Sequence, residues 1–262
     1  MRRRSRPACC TTTSTSVPIC TPSVSCFSSA SPADRRPTLT EPAFVGRAPD
    51  LATLAGEAEQ AALGSGGIVL VEAESGGGKS RLLDEFARRC AQRGMWVLRG
   101  QGVDQAASRP FQVLDDVAHG VLSRVEDDTA YGEELRSALG DEALAIRAVL
   151  PTLAPLDTAS RDESLGPEEH GEQRSLHALC ALLTALGTER RPAVVLLDDC
   201  QWADDLTVSL LARWQLTAEA PRHVVVVVAF RSEEVDHAHP LRRIPGRRLG
   251  LAPFDGERAA PG

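Results

Sequence analysis

The sequence predicts a three-layer α/β domain built on a parallel sheet. Three observations carry this. Runs of β-branched and aliphatic residues alternate with stretches of helical periodicity. One run feeds a glycine-rich segment that opens a helix. Another ends in two adjacent aspartates, at the place where open parallel sheets gather their ligands.

Strands are expected near 67–73, 95–100, 193–198, 223–230 and 246–251. Helices are expected near 50–63, 79–93, 111–123, 132–149, 170–188 and 204–217. The first strand is Ile-Val-Leu-Val-Glu-Ala, residues 68–73. Glu74-Ser75-Gly76-Gly77-Gly78-Lys79-Ser80 follows it. In the next helix Leu82, Leu83, Phe86, Ala87 and Cys90 recur at helical spacing, and Arg81, Asp84, Glu85, Arg88 and Arg89 take the other face. Residues 101–168 carry no strand signal. They read as inserted helices and loops, broken at Pro151, Pro155 and Gly166-Pro167, and as the part best suited to contact partners. The acidic residues there (Asp127, Asp128, Glu133, Glu134, Asp141, Glu142) read as a solvated face.

Strand, glycine-rich loop, Lys-Ser and helix is the arrangement of a phosphate-binding loop. Glycines let the backbone curl until successive N–H groups point inward at phosphate oxygens, and the helix N-terminus adds partial positive charge. Lys79 would reach the outer phosphates of a nucleotide, and Ser80 would offer its hydroxyl to Mg²⁺, which prefers hard oxygen ligands. The usual pattern begins with Gly, where this chain has Ala73. An alanine is tolerable there if its backbone is extended. The competing reading is a flexible glycine turn with a surface lysine. Composition favours the first: the chain has 28 arginines and a single lysine, and that lysine is Lys79.

Residues 193–197, Ala-Val-Val-Leu-Leu, form a second buried strand ending in Asp198-Asp199. Two carboxylates there are costly unless paired, hydrated or bound to metal. Asp198 would hold Mg²⁺, mainly through water, and Asp199 would orient or deprotonate an attacking water. A pair of this kind can also simply cap the next helix, which Asp204 or Asp205 could do equally well. The third strand, nearly all valine, ends at Phe230-Arg231. Arg231 could point at a terminal phosphate or at Asp199, or open a surface loop with Glu233 and Glu234 as partners.

The chain has 262 residues, 42% hydrophobic and 25% charged, enough for one large or two small domains. Its net charge of −7 argues against a non-specific nucleic-acid binder. Its longest apolar run is the seven residues Val224 to Phe230, where a membrane-spanning helix needs about 20. Residues 1–40 differ from the rest: six Arg, one Asp, four of the seven cysteines, and otherwise mostly Ser, Thr and Pro. They read as an unstructured tail, or as a transit peptide whose helix is interrupted by prolines. Cys90, Cys180 and Cys200 sit at isolated apolar positions and read as reduced thiols of a cytoplasmic protein. His237 and His239 lie close together without Cys or carboxylate at metal spacing. The domain is expected to run over 41–252, with 253–262 unstructured.

Phe44-Val45-Gly46-Arg47, the loop from Ala73 to Ser80, the run Asp198-Asp199-Cys200-Gln201-Trp202-Ala203-Asp204 and the strand ending in Arg231 together resemble the AAA-type ATPase module of the STAND class, in particular the Orc1-like AAA ATPase domain. The resemblance covers roughly residues 41–252. It implies a P-loop NTPase fold with strand order 5-1-4-3-2 and ATP with Mg²⁺ as cofactors. It places Val45, Gly46 and Arg47 near the adenine, and Gly76, Gly77, Gly78, Lys79 and Ser80 around the phosphates. Asp198 becomes the metal-associated carboxylate, Asp199 the catalytic one, and Arg231 a polar sensor. Trp202 is expected to pack.

The family module continues into a small helical lid. Only Ala252 to Gly262 follow the last strand here, with Pro253, Gly256, Pro261 and Gly262 among them, so no lid is expected from these residues. The implied function is a Mg-dependent ATPase of a signalling or transcription-regulator type, working with protein partners and without membrane or direct nucleic-acid contact. The alternative is a nucleotide-binding interaction module without useful hydrolysis. A small-molecule kinase fits the Asp198-Asp199 run less well.

Overall fold

A computed structural model describes residues 46–104, 109–157, 171–217 and 221–252. The readings of 1–40, of Val45 and of 253–262 lie outside them. Five strands form the sheet: β1 (Ile68–Ala73), β2 (Trp96–Gln101), β3 (Ala193–Asp198), β4 (Val224–Arg231) and β5 (Arg247–Gly250). All pairings are parallel, in the order β2-β3-β4-β1-β5, which is the expected order read from the opposite edge.

Both sheet faces are covered, which is why β3 and β4 read as continuous apolar runs. Alternate residues serve alternate faces. Val69, Val71, Val194, Leu196, Val225 and Val227 pack with α1 (Ala48–Ala62) and α2 (Lys79–Gln92). Ile68, Leu70, Val195, Leu197, Val226 and Val228 pack on the other face. That larger core is completed by α3 (Asp115–Asp127), α4 (Thr129–Leu139), α5 (Glu142–Val149), α6 (Gly171–Ala185) and α7 (Asp205–Leu216).

The insert between β2 and β3 differs from the sequence reading in two places. One helix was expected over 132–149, and the chain makes two, α4 and α5. Gly140 separates them with φ +49, outside helical space. The Asp128 side chain starts α4 earlier than expected by accepting from the Tyr131 N–H at 3.1 Å. The helix expected from 111 begins as a 3-10 turn, Gln112–Leu114, before α3.

Asp204 joins this layer to the sheet. It caps α7 by accepting from the Thr207 N–H (3.0 Å) and hydroxyl (2.6 Å), and it also accepts from the Phe111 N–H at 2.9 Å. The Asp204→Ala variant is therefore expected to lose about 1–2 kcal/mol of stability, a capping bond and an inter-segment bond together. Urea unfolding should show a lower midpoint at unchanged slope. An unchanged midpoint would remove Asp204 from this role.

Cys90 and Cys200 are buried, and Cys180 is half-buried. Burial pushes the Cys90 thiol up to about 12 and raises the other two. All three therefore stay protonated near neutrality, as inert thiols should. No described helix is long and apolar enough to cross a membrane.

Candidate functional site

Parallel pairing sets the ends of the strands side by side. Ala73 lies opposite Arg231, and Gln101 lies opposite Asp198. The candidate residues from four chain segments thus meet at the carboxyl ends of the strands.

The loop from Glu74 to Gly78 leaves β1 there. Gly76 and Gly78 have φ of +73 and +80, and a Cβ at either would point into open space. Glycine is needed for the backbone conformation, and that conformation leaves the concave side clear. Gly77 is needed for a different reason. A Cβ there would stand 2.9 Å from both the Ala73 Cβ and the Glu74 carbonyl. Ala73 itself is the last residue of β1, extended and buried, so the missing first glycine is accommodated as expected. Its methyl group takes the room that a side chain at 77 would use.

Lys79, at the start of α2, is only 7% exposed. Its Nζ donates to the carbonyls of Ala73 (2.9 Å) and Glu74 (3.0 Å), folding the side chain along the inside of its own loop. Burial pushes its pKa down, opposed by the negative charges of Glu233, Asp198 and Asp199. Ser80 is exposed, and its hydroxyl donates to Asp198 Oδ2 at 2.7 Å. The other Asp198 oxygen accepts from the Asp199 N–H at 2.9 Å.

Asp199 is one of two described non-glycine residues at positive φ, with φ +49. The chain turns sharply there, and Gly102 beneath it leaves no room for a side chain: a Cβ would come 2.3 Å from the Asp199 carbonyl. Three donors surround the Asp199 carboxylate. Gln101 and Gln201 each donate at 3.2 Å, and Arg231 Nε stands at 3.5 Å. Gln201 also accepts from the Arg231 N–H at 3.2 Å, tying the turn after β3 to the end of β4. Both readings of Arg231 are realised together, because its NH1 pairs with Glu234 at 2.9 Å while its Nε faces Asp199.

Glu233, the other expected partner of Arg231, turns the opposite way. Its Oε1 accepts from the Ser75 N–H at 2.7 Å. Gln101 is the site residue that sequence reasoning missed, and Glu233 was expected only as a partner of Arg231, not of the loop. Gln101 follows no motif, and only its register against Asp198 reveals it. Trp202, expected to pack, is 37% exposed at the site's margin.

Gly46 has φ +87 and leads into Arg47, which precedes α1. Arg47 is buried. Its NH2 donates to the carbonyls of Gly77 (2.9 Å) and Ala252 (2.6 Å), and its NH1 pairs with Asp50 at 3.4 Å. The side chain therefore braces the phosphate loop against the residues after β5. Arg47→Met keeps the apolar stem and removes the brace. It is expected to weaken binding of ATP and of inorganic tripolyphosphate alike, by roughly threefold to tenfold. A loss confined to ATP, measured by calorimetry, would make Arg47 a contact to the base instead.

The donor set suits a magnesium nucleotide. Ser80 and Asp198 place two hard oxygens together, next to a clear glycine concavity and a buried ammonium. Among the described residues no three His, Cys, Asp or Glu side chains gather as a metal cage. A cation held partly by water and by the nucleotide's own phosphates needs none.

The family model for the AAA ATPase domain matches residues 43–227, which include the glycine loop and the Asp198-Asp199 turn. The chain belongs to this family. Its AAA ATPase domain also resembles the crystal structure of Cdc6p from Pyrobaculum aerophilum, with a TM-score of 0.50 and 13% identity. That match covers 85% of this chain and 49% of the other, so the chain spans about half the length of that protein. At this identity the likeness is one of fold. No curated protein matches the chain.

Proposed function

We propose that this domain binds ATP with Mg²⁺ at the loop 74–80 and hydrolyses it, serving as a nucleotide-dependent switch in a regulatory protein. The observation that carries this is the 2.7 Å contact of Ser80 with Asp198 beside the buried Lys79. One hydroxyl, one carboxylate and one ammonium lie together, the groups that a cation and phosphate anions call for.

The residues then divide the work. The backbone N–H groups from Gly76 to Ser80 cradle the inner phosphates, and Lys79 leaves its loop carbonyls to bind the outer ones. Ser80 and Asp198 would hold the cation, which would supply positive charge to neutralise the phosphates. Asp199 accepts a hydrogen bond from the attacking water and aims it. Arg231 offsets charge that develops on the terminal phosphate. The family resemblance puts Val45, Gly46 and Arg47 at the adenine end, and Arg47 acts there by bracing the glycine loop through the Gly77 carbonyl. Regulation follows if the ATP and ADP forms present different surfaces, with the helices between β2 and β3 as the candidate surface for protein partners.

One observation favours the alternative of binding without useful turnover. The Asp199 carboxylate is already engaged by Gln101, Gln201 and Arg231. Three of the roughly four acceptor positions on that carboxylate are thus taken, which leaves little of it for a water. The test is calorimetric titration with ATP in Mg²⁺, followed by phosphate release from the same preparation. Saturable binding with phosphate release supports the switch, and saturable binding alone supports the alternative.

A further inference from the structure

We propose that Glu233 sets the balance between diphosphate and triphosphate at this site, by holding a carboxylate where a terminal phosphate must enter. The inference rests on the reading of the loop as a nucleotide site.

The backbone after β4 is pinned beside the loop, because the Ser232 N–H donates to the Ala73 carbonyl at 3.1 Å. This carries Glu233 to the outer lip, where its carboxylate accepts from Ser75 N–H at 2.7 Å and lies 3.5 Å from the Ser232 hydroxyl. Glu234 is committed elsewhere, to Arg231. Among the acidic groups acting on the Lys79 ammonium, Glu233 acts most strongly, ahead of Asp198 and Asp199. An anion thus already occupies one loop donor and leans on the loop's only ammonium.

Phosphates seated against the N–H groups at the start of α2 fill the inner end of the loop. One further phosphate extends toward the lip, between Ser75 and the end of β4 where Arg231 stands. Asp198 also lies near phosphate, but the cation it shares with Ser80 offsets its charge. Glu233 is held by backbone N–H groups instead, while Lys79 and Arg231 act on it through space. A triphosphate must displace this carboxylate or accept its repulsion, whereas a diphosphate leaves it in place. The device selects by charge at one position, not by shape. It biases the resting domain toward the diphosphate form.

The experiment measures ATP and ADP dissociation constants in Mg²⁺ by calorimetry, for the wild type, Glu233→Gln and Glu233→Ala. Glu233 is exposed, so both variants should fold as the parent does. The ratio of ATP to ADP affinity is expected to rise about tenfold in both variants, with ADP affinity within about twofold of the parent. A ratio that stays constant, whether both affinities change together or neither changes, overturns the proposal. A wild type that binds neither nucleotide overturns the nucleotide-site reading, and this inference with it.

Discussion

Lys79→Ala is expected to weaken ATP binding by about 100-fold or more, which is ~3 kcal/mol of binding free energy at 1.4 kcal/mol per tenfold. The size follows from where the ammonium sits. It is buried within its own loop, bonded to the Ala73 and Glu74 carbonyls, and opposed by three carboxylates that also repel phosphate. Removing it takes away the loop's only ammonium and leaves the Glu233 carboxylate facing the nucleotide with less counter-charge. Lys79→Arg should fail almost as badly. A planar guanidinium is larger than a point charge on a flexible stem, and the Lys79 side chain lies buried along the inside of its loop against the Ala73 and Glu74 carbonyls. The chain uses arginine at every other basic position, which indicates that this one position demands lysine. Calorimetry gives the binding loss, and thermal unfolding checks the fold. A melting point within a few degrees of the parent is expected, because the lost contacts are made to loop carbonyls that water can reach once the side chain is gone. Undiminished ATP binding by Lys79→Ala would move the nucleotide site elsewhere.

The parts of this site that were legible in the sequence are those encoded locally. Strand, glycines, Lys-Ser and helix are contiguous, and their spacing alone gives the loop. The Asp198-Asp199 pair is likewise read from the end of one apolar strand. Pairings that depend on register are different. Gln101 reaches Asp199 only because β2 and β3 align Gln101 with Asp198, across 97 residues of chain. Nothing in the composition of β2 marks Gln101 as a site residue. Glu233 and Glu234 are adjacent and chemically alike. Which one takes Arg231 and which takes the Ser75 N–H is decided by the turn after β4, where Ser232 is pinned to Ala73.

The same distinction holds for the fold. The five strands and the first and last helices fall close to their expected places, because buried β-branched runs and helical periodicity are strong local signals. The break at Gly140 was missed because one glycine is compatible with either a continued helix or a stop. Packing of α4 and α5 as separate helices decided it. Arg47 shows a third case. The resemblance put it near the adenine, and its guanidinium spans the Gly77 and Ala252 carbonyls. A family motif indicates where a residue sits and leaves open which atoms it touches.

Asp199→Asn is expected to retain ATP binding within about twofold and to lower phosphate release by about 10²–10³-fold. Asparagine is the appropriate substitution for two reasons. It is among the few residues that accept a left-handed backbone, so the turn at φ +49 should survive. It also keeps an amide oxygen for Gln101, Gln201 or Arg231, so the link between β3 and β4 through Gln201 is not broken. The negative charge and one acceptor oxygen are lost, and these are what aim a water and receive its developing positive charge. Binding is insulated because the cation contact belongs to Asp198, whose oxygens are used by Ser80 and by the Asp199 backbone, neither of which the substitution removes. Single-turnover phosphate release at saturating ATP separates the two effects. Loss of release with preserved binding assigns the water-directing role to Asp199. Unchanged release would leave its carboxylate as a tether between Gln101, Gln201 and Arg231, and would pass the water-directing role to another group at the carboxyl ends of the strands.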